Sequence, residues 1–136
     1  MAGKSPVEIR VSNNGDFQIR SKADSVTIQG VKLNRGNCVV NFVPVREAVQ
    51  MGVLNQITPI SMQDFKDMAS VYKEFNNKER VANIENKISQ LEQKGVIMEP
   101  QSLKFGESLK GISQGCNIIE AEIQTDKDAW TFNFNR

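Results

Sequence analysis

The sequence predicts an α+β fold: an antiparallel β-sheet or small β-sandwich, made by N- and C-terminal strands together, with a central helical insertion. Three observations carry this. Apolar and polar residues alternate at a period of two over about 7–43 and again over about 103–134, as in half-buried strands. Over about 46–95 the apolar residues recur instead at three and four, as on a helix face. Turn residues rich in Gly, Asn and Asp punctuate both strand regions. The 136 residues are expected to form a single domain, 1–136, which is long enough to bury a core without staples.

Val7, Ile9 and Val11 alternate with Glu8, Arg10 and Ser12, and Asn13-Asn14-Gly15-Asp16 then supplies a turn. Phe17 and Ile19 alternate with Gln18 and Arg20, so 7–21 reads as a hairpin. Ser25 to Leu33 is a third strand, with a bulge or close backbone approach at Gly30. After the turn Asn34-Arg35-Gly36-Asn37, the nearly continuous apolar run Cys38 to Val43 predicts a fourth, central strand ended by Pro44.

Arg46 to Leu54 suits a short helix broken around Gly52. Ser61 is placed to cap a second helix, and Asp64 suits the positive end of its dipole. Met62, Phe65, Met68, Val71, Tyr72 and Phe75 give that helix a broad apolar face. A further helical segment, about Lys78 to Lys94, carries the narrow seam Val81, Ile84, Ile88 and Leu91, with Gly95 to end it. The two stripes are out of register, since Glu79 falls where the first would continue. A hairpin of two helices, or one helix bent at Asn76-Asn77, satisfies both.

Strands return with Leu103 and Phe105 around Lys104, a short edge strand at Leu109 to Ile112, and Ile118 to Gln124. The turn Asp126-Lys127-Asp128 leads to a last strand with Trp130, Phe132 and Phe134 on one face.

Composition excludes much chemistry. Without histidine there is no Ser-His or Cys-His nucleophile, no His metal site and no histidine pH switch. Cys38 and Cys116 form no Cys-x-x-Cys motif, which removes zinc ribbons and thioredoxin-like sites. They are either two inert thiols or one disulfide; both sit beside a strand in a glycine-rich setting. No apolar run approaches the ~18 residues of a membrane span, and Met-Ala-Gly-Lys-Ser-Pro lacks a signal core. A cytoplasmic protein is the default expectation, with a secreted or periplasmic mature form left open. None of the 13 asparagines begins an Asn-x-Ser/Thr acceptor. Compact size and abundant asparagine suit a phage or plasmid product.

Ser70-Val71-Tyr72-Lys73 matches Ser-x-x-Lys, but the accompanying motifs of penicillin-recognising enzymes are missing, so it reads as a solvated helix face. Glu120, Glu122, Asp126 and Asp128 read as a solvent face and a turn rather than a metal site. No Gly-rich phosphate loop is present. The expectation is therefore a non-enzymatic protein with no catalytic residues, no metal and no cofactor.

Net charge is +1, yet residues 1–46 hold seven Lys/Arg against three acids and residues 47–136 hold ten against thirteen. Arg10, Arg20, Lys22, Lys32 and Arg35 are thus candidates for an anion-binding face. They come without exposed aromatics for base stacking. The leading expectation is a protein-interaction or assembly module that offers its helical insertion to a protein partner or a second copy. The candidate contact residues are Arg80, Ile84, Glu85, Lys87, Ile88 and Glu92. Nucleic-acid or regulatory binding through the basic N-terminal strands is the alternative.

Overall fold

A computed structural model describes residues 4–134. Seven strands and three helices follow in the order β1 (Val7–Val11), β2 (Asp16–Ser21), β3 (Ser25–Leu33), α1 (Val45–Met51), α2 (Met62–Glu74), α3 (Lys78–Lys94), β4 (Gln101–Lys104), β5 (Ser108–Ile112), β6 (Glu120–Thr125) and β7 (Ala129–Asn133). The α+β class and the helical insertion are as the sequence predicts. The chain divides into two compact units, a β unit drawn from residues 1–40 and 100–136 and a helical unit of residues 41–99.

The β unit holds two antiparallel sheets, of order β1-β2-β5 and β4-β3-β6-β7. Alternation, shifted by one residue at Gly30 in β3, buries one face of each. Val7, Phe17 and Ile19 point inward from the first sheet. Val26, Ile28, Val31, Leu33, Leu103, Ala121 and Ile123 do so from the second. The β1–β2 register pairs Glu8 with Arg20 and Arg10 with Gln18. Gly15, at φ 93°, makes the turn, and a Cβ there would run into the Ser113 carbonyl. The register of β3 against β6 shifts between Ile28 and Gly30, and a Cβ at Gly30 would meet the Gln124 side chain, so both the bulge and the close approach foreseen at that glycine are present. β7 is an edge strand, so Trp130, Phe132 and Phe134 share the inward face yet stay half-buried.

The predicted strand Cys38–Val43 does not form. Both neighbours of β3 come from the last third of the chain, β4 on one side and β6 on the other. Asn34 and Arg35 take positive φ values of 52° and 60°, and a single bridge joins Leu33 to Cys38. Cys38 is bonded to Cys116, with Cα atoms 6.0 Å apart, so the two thiols are not free. Asn34 secures the same corner. Its Nδ2 donates to the Asn117 carbonyl at 2.9 Å, and its Oδ1 accepts from Ile119 and Glu120 N–H at 2.9 and 3.1 Å.

The helical unit is organised by the start of α2. Ser61 Oγ accepts from Asp64 N–H, and the Asp64 carboxylate accepts from Ser61 N–H, both at 3.0 Å. This is a reciprocal cap that satisfies otherwise orphan donors. Asp64 is fully buried and also accepts from Ile60 N–H, Phe42 N–H and Asn41 Nδ2 at 2.9–3.1 Å. The segment expected to be a strand is therefore held by a helix carboxylate instead. Residues 60–62 pair with 97–99 through a Ser61–Met98 bridge.

α2 and α3 are separate helices. Asn76 turns the chain at φ 55°, and Asn77 Oδ1 caps α3 by accepting from Arg80 N–H at 3.2 Å. Gly95, at φ 71°, ends α3 in the left-handed region. The core of this unit is Val45, Ala48, Leu54, Met68 and Tyr72, with Val81 and Ile84 packed against it. Tyr72 Oη is buried without a hydrogen-bond partner among the described residues. Leaving a polar group so costs about 1–3 kcal/mol. Tyr72→Phe should thus leave stability unchanged or raise it by up to about 1 kcal/mol, read by urea unfolding. A loss above that size would show that the hydroxyl has a partner in solution.

Candidate interaction surface

The seam of α3 divides between two duties. Val81 and Ile84 face the helical core, and Leu91 is 2% exposed. Ile88 stays half-buried and lines a groove between the two helices. Lys66, Ala69, Ser70 and Lys73 form its α2 side; Glu85, Ile88 and Glu92 form its α3 side. Its middle is small and apolar, since Ala69 is buried and Ile88 half-buried. Its walls carry opposite charge, lysines on α2 and glutamates on α3. Helical period explains the walls: residues seven apart return to nearly the same face. Lys66 and Lys73 are one such pair, and Glu85 and Glu92 are another.

Lys73 Nζ lies 3.4 Å from Glu85 Oε2, with side chains 60% and 55% exposed. An ion pair so exposed contributes about 0–1 kcal/mol, so it is easily re-partnered. Neither Lys66 nor Glu92 is in an ion pair among the described residues. Of the other candidate contacts, Lys87 pairs with Glu99. Arg80 stands over the Tyr72 ring, 5.8 Å from its centroid. Of the six α3 residues singled out, the structure therefore brings Glu85, Ile88 and Glu92 together. Ile84 is turned inward, and Arg80 and Lys87 are engaged elsewhere. Sequence reasoning missed Lys66 as a wall and read Lys73 only through Ser-x-x-Lys. The signal was there in the matched spacing of seven on both helices.

Of the five basic candidates, Arg10 and Arg20 come together with Glu8 and Gln18 on the outer face of the first sheet, and the other three lie apart from them. Arg20 pairs with Glu8 at 3.5 Å on the first sheet. Arg35 Nε lies 3.3 Å from Glu120 Oε2 beside the second, where Lys32 stands opposite Glu122. Lys22 is exposed at the end of β2. Arg10 lies on the outer face in a row with Gln18 and Lys110.

The acidic group is likewise dispersed into structural roles. Glu122 accepts from Gln124 Nε2 at 2.9 Å, Asp126 from Thr27 N–H at 2.9 Å, and Asp128 from Ala129 N–H at 2.8 Å. Among the described residues no three His, Cys, Asp or Glu side chains are placed to hold a metal ion. Nor is any helix among them long and apolar enough to cross a membrane.

No known protein family, no curated protein and no solved structure matches this chain.

Proposed function

We propose that this chain is a non-enzymatic protein-interaction or assembly module, with the α2–α3 hairpin as its contact surface. One observation supports the reading above others. The hairpin buries one side in its own core and leaves, on another, a groove with a small apolar middle and charged rims. Protein contacts favour a dry middle with a polar rim. The Cys38–Cys116 bond favours work in an oxidising compartment, because thiols are kept reduced in the cytosol. This argues for a secreted or periplasmic setting over the cytoplasmic default.

The test is site-specific crosslinking in cells that express the whole chain. A photoreactive residue at Ile88 or Glu92 should capture a polypeptide; one at Thr131, on the outer face of the second sheet, should not. Adducts from Thr131 alone, or none at all, would sink the proposal.

The alternative, nucleic-acid binding through Arg10, Arg20, Lys22, Lys32 and Arg35, draws on the row Arg10, Gln18 and Lys110. Arg20 and Arg35 already hold carboxylates. Titration with a single-stranded oligonucleotide decides it, since genuine phosphate binding weakens steeply as salt rises.

A further inference from the structure

We propose that the α2–α3 groove is the interface of a symmetric homodimer. Two hairpins pack face to face as an antiparallel four-helix bundle, with the two-fold axis parallel to the helices and α2 of each copy lying on α3 of the other. This rests on the hairpin being the contact surface and names the partner as a second copy of the chain.

The charges select both the occupant and the symmetry. α2 and α3 are joined by three residues and line one groove, so they run antiparallel, and the Lys73–Glu85 ion pair puts those two charged groups at one height. Seven residues back along α2 is Lys66, and seven residues forward along α3 is Glu92. Each step is about 10.5 Å, so Lys66 and Glu92 are level as well. Ala69 lies between the lysines and Ile88 between the glutamates. The groove therefore has a positive and a negative wall, with charges at matching heights.

A two-fold axis parallel to the helices preserves height and exchanges walls. It sets Lys66 against Glu92 of the second copy, Lys73 against Glu85 of that copy, and Ala69 against its Ile88. The surface is its own complement, as an interface between identical halves requires. An axis perpendicular to the helices, within the plane of the hairpin, would set α2 on α2 and lysine against lysine. Like charges placed so are disfavoured. Lys66 and Glu92, which have no ion pair among the described residues, gain partners in the favoured arrangement.

The size of the face sets the strength. α2 has 13 residues, about 20 Å of helix at 1.5 Å per residue. Two helices side by side present roughly 400 Å² per copy, about 800 Å² in total, which is in the range of weak, transient contacts. The dimer should therefore be concentration-dependent and sensitive to salt.

Sedimentation equilibrium of the full chain tests this at about 0.5 mM protein and about 10 mM salt, where the screening length is about 30 Å. The wild type is expected to dimerise. Lys66→Glu with Lys73→Glu makes both walls negative, and Glu85→Lys with Glu92→Lys makes both positive. Each double variant alone should associate at least about 30-fold more weakly. An equimolar mixture of the two should recover a heterodimer, because every facing pair is again opposite in charge. Far-UV circular dichroism checks that both remain folded. If either reversal unfolds, the neutral Lys66→Gln, Lys73→Gln variant replaces it, with about 10-fold weakening expected.

A monomeric wild type under these conditions overturns the inference. So does a dimer indifferent to the reversals, or a mixture that fails to recover association. A monomer that still crosslinks from Ile88 to a different polypeptide overturns the homodimer alone. A monomer with no crosslinks overturns the contact-surface reading as well.

Discussion

Replacing Asp64 by alanine is expected to destabilise the protein by about 3–5 kcal/mol, the scale seen when one partner of a buried charge network is removed. Asp64 is 0% exposed, and no lysine or arginine pairs with it among the described residues. The carboxylate accepts instead from the N–H groups of Phe42, Val43, Ile60 and Ser61 and from the Asn41 amide. Bonds to a charged acceptor contribute about 1.5–3 kcal/mol each. Truncation would orphan these donors and leave a cavity, although local relaxation and water would recover part of the loss.

The carboxylate also joins three stretches of chain, 41–43, 60–61 and the first turn of α2. Its loss should therefore be felt well beyond the cap. Ser61→Ala removes the Oγ acceptor of the reciprocal cap but keeps the N–H that bonds Asp64, and should cost about 1 kcal/mol. Urea unfolding followed by helix signal measures both, and amide exchange at Phe42, Ile60 and Ser61 reports the site directly. A loss below about 1 kcal/mol for Asp64→Ala, with those amides still protected, would mean that water already serves these donors.

Loss of the Cys38–Cys116 bond should cost about 3–4 kcal/mol. The bond closes a loop of 78 residues, and the chain-entropy relation gives about 4.5 kcal/mol for that length. Measured values commonly fall below the relation, because unfolded chains retain some structure. The loop encloses the whole helical unit, since residues 41–99 lie within it. The two cysteines lie in the β unit, Cys38 just before the chain leaves it and Cys116 ahead of β6. Reductant should lower the unfolding midpoint of the wild type but leave that of Cys38→Ala, Cys116→Ala unchanged. A double variant as stable as the oxidised wild type would show that the bond contributes nothing.

Local periodicity separated strands from helices wherever it ran uninterrupted. The β1–β2 hairpin followed from alternation around Asn13-Asn14-Gly15-Asp16, and the bulge in β3 from Gly30 inside an alternating run. Two stripes out of phase marked a break at Asn76-Asn77, but one bent helix satisfied them as well as two; the turn at Asn76, φ 55°, is what makes α2 and α3 separate. These are local properties, set by backbone geometry and the need to bury one face.

Features that depend on partners distant in sequence emerged only when the chain was folded. Cys38 to Val43 has strand composition, but β4 and β6 occupy both sides of β3, and Asp64 captures the N–H of Phe42. Asn34 looks like an ordinary turn residue until Asn117, Ile119 and Glu120 are brought beside it. The groove is the same case. The spacing of seven in Lys66 and Lys73, and in Glu85 and Glu92, was present in the sequence. Only the antiparallel packing of α2 on α3 sets the two pairs at the same heights, because a charge on one helix carries no record of which helix will lie beside it.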